Sequence, residues 1–132
     1  MALFLALFAL ATGGCKSGGK AASPEIAGAA REAAAIVQRL QTATAARDYT
    51  TICNTLLSST ERVQAGGADC ARLMAQRAAG VRRPHIRIRS IVLTRTGALV
   101  HVATTAEDQA RTSDVIRLVR EHGRLRIAAL GR

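Results

Sequence analysis

The sequence contains no tryptophan, one tyrosine and two phenylalanines. Phe4 and Phe8 both lie in the first ten residues, so Tyr49 is the one aromatic ring the rest of the chain offers. A pocket walled by aromatic rings is therefore excluded. So is a groove that stacks bases on such rings, which non-specific single-strand binding needs in addition to charge. The three cysteines form no C-x-x-C pair and the three histidines are scattered, which argues against a zinc site. No cofactor-binding motif appears. No apolar run approaches the roughly 20 residues that span a bilayer. Acids are scarce as well: nine Asp and Glu stand against 19 Lys and Arg.

What is present is charge of one sign. The net charge is +10, and all the basic residues except Lys16 and Lys20 are arginines. Such an excess suits a polyanion, an anionic lipid surface or an acidic polymer. It also arises with no ligand at all where GC-rich coding favours Arg and Ala. The second reading is preferred for the charge as a whole. Hydrophobic residues make up 48% of the chain, so the core is expected to be built from Ile, Leu, Val and Ala. One small domain is the expected size.

The first residues have the character of an address label. Ala2 to Ala11 is an unbroken apolar run, the length of a signal-peptide core, and small residues follow it. Two cleavage readings compete. Ala9-Leu10-Ala11 fits ordinary secretion. Thr12-Gly13-Gly14-Cys15 resembles the lipobox of bacterial lipoproteins, with Thr12 where leucine is usual. Lys16 to Ser23 is a Gly/Ser-type tether of the kind that holds a domain off a membrane. The reading carried forward is a signal peptide over 1–14 and a lipidated Cys15 with a flexible tether over 15–23. A domain over 24–132 follows, extracytoplasmic and anchored to a bacterial membrane, with free secretion as the alternative. Export makes the remaining pair, Cys53 and Cys70, a candidate disulfide.

Along the domain the hydrophobic period changes once. Ser23-Pro24-Glu25 is a helix start, and Ile26, Ala30, Ala33, Val37, Leu40 and Thr44 recur at helical spacing. Arg31, Gln38, Arg39 and Gln41 fall off that stripe, towards solvent. Asp48 can cap a second helix carrying Ile52, Cys53, Leu56 and Leu57. Ser58 to Thr60 can cap a further turn, Gly66-Gly67 breaks the pattern, and Asp69 can cap a third helix. After Gly80 the pattern becomes that of strands. Over Pro84–Thr94, Ile86, Ile88 and Val92 alternate with His85, Arg87 and Arg89. Further strands are expected at 98–106, 111–120 and 124–130, the last two joined at His122-Gly123. A two-residue loop there faces Glu121 with Arg124 and Leu118 with Ile127, and puts Ile116, Leu118, Leu125 and Ile127 on the core face.

A long first helix, the corner Ala46-Arg47-Asp48-Tyr49, short helices, and strands ending in Glu121-His122-Gly123-Arg124-Leu125-Arg126-Ile127 resemble the nuclear transport factor 2-like superfamily. The likeness is to its exported bacterial branch, which includes many lipoproteins. Leu125 stands where members commonly carry tryptophan. The resemblance implies an α+β fold with N-terminal helices packed on a curved antiparallel sheet, cone-like, with a pocket between them. It also implies that the domain is a ketosteroid-isomerase-like enzyme or dehydratase, a ligand-binding module or a dimerisation module, since the fold hosts all three.

The site candidates are few. An isomerase or dehydratase needs a carboxylate or histidine in an apolar pocket, opposite a hydrogen-bond donor. Asp48, Tyr49, His101 and Asp114 are the available groups, and no two stand at a recognisable acid–base spacing. Asp48 is better read as a cap, and Asp114 as solvated or paired with an arginine. Tyr49 and His101 are retained as possible pocket residues. His85, Arg87 and Arg89, joined by Arg82 and Arg83, form a possible anion-binding face, against the plainer reading of a solvated strand. The expectation is a non-catalytic domain, without metal or cofactor, that binds a small ligand, an envelope component or a protein. Nucleic acid is not expected as a partner. A pocket enzyme and a homodimer through the open sheet face are the alternatives.

Overall fold

Ser23 opens the first helix: its hydroxyl accepts from the Ile26 N–H at 3.4 Å, with Pro24 in the first turn. This is seen in a computed structural model, which describes residues 23–131. The expectations for residues 1–22, the leader, Cys15 and the tether, lie outside the described residues. Helix α1 (Pro24–Ala45) buries Ala33, Ile36, Val37, Leu40 and Ala43. Ile26, expected on that stripe, is 51% exposed, so the packed face begins about two turns later.

Asp48 caps the short helix α2 (Tyr49–Thr51), accepting from the Thr51 N–H at 3.0 Å and from its hydroxyl at 2.6 Å. The chain then widens into a π-type turn, Ile52–Leu56, which turns the consecutive Ile52 and Cys53 inward together. Ser58 caps α3 (Ser59–Gln64) through the Glu61 N–H. Gly66 and Gly67, with φ of 118° and 57°, turn the chain where a side chain would be strained. Helix α4 (Cys70–Arg77) follows. Asp69 sits at its start but makes no capping bond, and its carboxylate is 3.2 Å from Arg72 instead. Cys53 and Cys70 are joined in a disulfide that fastens α4 to the π-type turn, both side chains at most 2% exposed.

Strands β1 (His85–Leu93), β2 (Gly97–Thr105), β3 (Thr112–Glu121) and β4 (Arg124–Leu130) form an antiparallel meander in sequence order. His122 and Gly123 both have positive φ, the twist a two-residue hairpin needs. Glu121 pairs with Arg124 and Leu118 with Ile127. Ile116, Leu118, Leu125 and Ile127 are all buried, as the alternation predicts. In β1 the alternation fails midway. The register shifts between Ile88 and Ser90, so Arg89 is an extra residue. A bulge of this kind reverses the parity of every later side chain. Ile91 and Leu93 therefore face the core, and Val92, expected there, is 49% exposed on the other face.

The fold is thus α+β, with a helical layer on one face of a four-stranded antiparallel sheet. Several fastenings hold the layers, among them the following. Gln41 is not solvent-facing: its Nε2 donates to the Pro84 carbonyl at 3.1 Å and its Oε1 accepts from the Ile86 N–H, so one amide mimics a neighbouring strand along the free edge of β1. At the other edge Leu57 bridges to Ile127, and the Ser58 N–H donates to the Ile127 carbonyl at 2.8 Å. The Glu32 carboxylate of α1 accepts from both terminal guanidinium nitrogens of Arg120 and from the Leu125 N–H. The Gln41 and Leu57 contacts occupy part of each sheet edge, where unpaired strand groups would otherwise template association.

Candidate functional site

The C-terminal half of α1 crosses one end of the sheet without closing on it. Leu40, Ile52, Met74, Ile86 and Leu130 wall the resulting cleft of about 350 Å³, with Tyr49 at its side. The lining is almost wholly apolar because α1, the π-type turn, α4, β1 and β4 each send an aliphatic side chain to it. The polar groups among its walls are the Tyr49 and Thr44 hydroxyls and the Arg77 guanidinium. No carboxylate and no histidine lines it, so it holds no general base. Concave, apolar and sparsely polar is the character of a small-molecule site.

A smaller recess of about 250 Å³ adjoins it, sharing the walls Leu40, Ile86 and Leu130, and reaches Asp114. Asp114 pairs across the sheet with buried Val102, so it points to the helical side. Its Oδ2 accepts from the hydroxyls of Thr104 at 3.0 Å and Thr112 at 2.9 Å. Of the two readings, solvated or paired with an arginine, neither describes it: among the described residues two threonines hold this carboxylate, and it is half-buried. A third depression, about 380 Å³, lies by the edge of β4 among Asn54, Ser59, Arg62, Glu121 and Arg126. It is larger than the apolar cleft but polar, and its one carboxylate is already engaged by Ser59.

The four residues weighed for acid–base work are not brought together. Tyr49 lines the apolar cleft and Asp114 its neighbour. Asp48 is an exposed cap at the corner. His101, retained as a pocket residue, is exposed on the opposite face of the sheet, because it pairs with Ser90 and Val115 in the outward parity. The carboxyls held below the usual range are fastenings of the fold. Arg120 lowers Glu32, the Thr51 hydroxyl and N–H lower Asp48, and the Ser59 N–H and hydroxyl lower Glu121. Among the described residues no group of three His, Cys, Asp or Glu could hold a metal ion.

His85, Arg87 and Arg89 do share the outer face of the sheet, where all three are exposed. Arg82 and Arg83 do not join them. Both are drawn to the β2–β3 loop, Arg82 to Asp108 at 2.8 Å and to Glu107 at 3.3 Å, Arg83 to Glu107 at 3.2 Å. Gln41 and Glu32 were invisible as contact residues in the sequence. One signal was available: each lies one or four positions from a buried residue on α1, at the flank of its packed stripe.

No family model, curated protein or solved structure matches the chain. The fold and the cleft therefore define a class: a small disulfide-stapled α+β domain with an apolar cleft between its helices and its sheet. No helix among the described residues is long and apolar enough to cross a membrane.

Proposed function

We propose that the protein is an exported lipoprotein, anchored through Cys15, whose nuclear transport factor 2-like domain is a non-catalytic binding module for a small apolar ligand. The observation that carries the binding role is the cleft at Leu40, Met74, Ile86 and Leu130, almost wholly apolar and without a carboxylate or histidine. Helices gathered on one face of an antiparallel meander support the family resemblance. The buried disulfide supports an oxidising compartment, where such bonds persist. The pocket-enzyme reading is weakened by the dispersal of Asp48, Tyr49, His101 and Asp114.

The cleft is tested with N-phenylnaphthylamine, a neutral probe that brightens in apolar surroundings. A saturable rise in fluorescence is expected, and Met74→Arg, at a half-buried wall position, abolishes it while the unfolding transition is retained. No saturable uptake, or equal uptake by the variant, overturns the binding role. The anchor is tested by the intact mass of protein recovered from host membranes. A chain beginning at Cys15 with added acyl groups is expected, and a soluble chain beginning at Thr12 sinks it.

A further inference from the structure

We propose that the outer face of the sheet lies against the anionic headgroups of a lipid bilayer. The pairing register places Arg87 of β1, His101 of β2 and Arg117 of β3 on this one face, with His85 and Arg124 at opposite corners, and the exposed bulge residue Arg89 follows Arg87 there by alternation. All six side chains are exposed. Val92, Leu99, Val115 and Val119 lie among them. The helices occupy the other side of the sheet.

All the acids but Glu121, which pairs with Arg124 at one corner, lie off this face. The chain has nine, and all are described. Glu25, Glu32, Asp48, Glu61 and Asp69 belong to the helical layer. Glu107 and Asp108 are taken by Arg82 and Arg83 in a loop. Asp114 faces the recess beside the cleft, on the helical side, and Glu121, at one corner, is held by Ser59. The overall charge of +10 is thus not evenly spread, and this face carries cations with almost nothing to neutralise them.

The occupant follows from the chemistry. Two copies of the face would bring arginine against arginine, which opposes dimerisation through it. A nucleic acid would find no aromatic ring to stack on. A bilayer surface with anionic lipids supplies negative charge over an area as broad as a sheet, and basic residues near such a surface each strengthen binding about five-fold. The aliphatic side chains between the arginines suit the boundary between headgroup and acyl chain. The inference rests on the membrane-anchored reading for its biological setting. From Cys15 to Pro24 an extended tether reaches roughly 30 Å, more than a sheet plus a helix of about 10 Å diameter, so either face can turn to the membrane and charge decides which.

The test uses the chain from residue 15 onward with Cys15→Ser, so that no acyl group contributes, after its cooperative unfolding has been checked. It is sedimented with phosphatidylcholine vesicles with and without phosphatidylglycerol. Binding is expected only with the anionic lipid, weakening as salt rises. Arg87→Gln, Arg89→Gln and Arg117→Gln together are expected to lower it about 100-fold. Arg31→Gln, Arg39→Gln and Arg62→Gln, the same charge removed from the helical layer, are expected to leave it within about two-fold. Equal loss in both triples, equal binding to neutral vesicles, or no binding at all overturns the proposal. An acylated Cys15 in cells with no vesicle binding by the soluble chain sinks the face alone. Vesicle binding with Cys15 unmodified in cells sinks the anchor and leaves the face standing.

Discussion

Breaking the Cys53–Cys70 bond is the perturbation whose size follows most directly from the structure. The bond spans 17 positions, and releasing a loop of that length from the unfolded chain costs the folded state about 3 kcal/mol. Both side chains are buried, at 2% and 1% exposure, so reduced thiols still fill the space and reduction reports the cross-link itself. Cys53→Ala with Cys70→Ala also removes the sulfur packing, adding about 1 kcal/mol per side chain. A domain of this size holds roughly 5–15 kcal/mol in all, so either change takes a large share. The chain lacks tryptophan, which makes far-ultraviolet circular dichroism in urea the assay. With a slope of about 1.5 kcal/mol per molar, the midpoint should fall by about 2 M on reduction and further in the double variant. The reasoning fails if reduction moves the midpoint by less than about 0.5 M, or if the double variant is as stable as the oxidised protein.

Gln41→Leu leaves the part-buried Pro84 carbonyl and Ile86 amide without their partner and is expected to cost about 2 kcal/mol. The cost should appear in urea unfolding and in faster hydrogen exchange at Ile86, and unchanged exchange there refutes the clamp. A Cβ at Gly97 would run into the Leu118 carbonyl, so Gly97→Val should destabilise by about 1–3 kcal/mol and loosen the β2–β3 pairing. Glu32, Asp48 and Glu121 have folded pKa values below their ordinary ones. Their contribution is therefore complete above the unfolded carboxylate range and lost as pH falls through the folded values. The melting temperature should hold from neutral pH to about 5 and drop below about 4.5, and Glu32→Gln should flatten part of that drop. A melting temperature that is level down to pH 3 contradicts the assignment.

Much of the fold was legible because it depends on neighbours in the chain. The caps Ser23, Asp48 and Ser58 act within three residues of themselves, and the His122-Gly123 hairpin sets its own register. Ile116, Leu118, Leu125 and Ile127 were therefore placed on the core face from alternation alone. Cys53 and Cys70 were paired by count, on the expectation of export, and the structure joins them.

What the tertiary structure decided depends on groups far apart in sequence. The bulge at Arg89 turned Val92 outward, since parity along β1 is set by pairing with β2 and not by β1 itself. Gln41 became the clamp on β1 because α1 happens to cross that edge, and Glu32 met Arg120 across 88 positions. Asp114, read as solvated or arginine-paired, is held by threonines, because strand register brought Thr104 and Thr112 beside it. Composition fixed that the protein would be basic and poor in aromatics. Only the packing of helices on one side, with the acids spent on caps, loops and fastenings, gathered Arg87, Arg89 and Arg117 onto a face of their own.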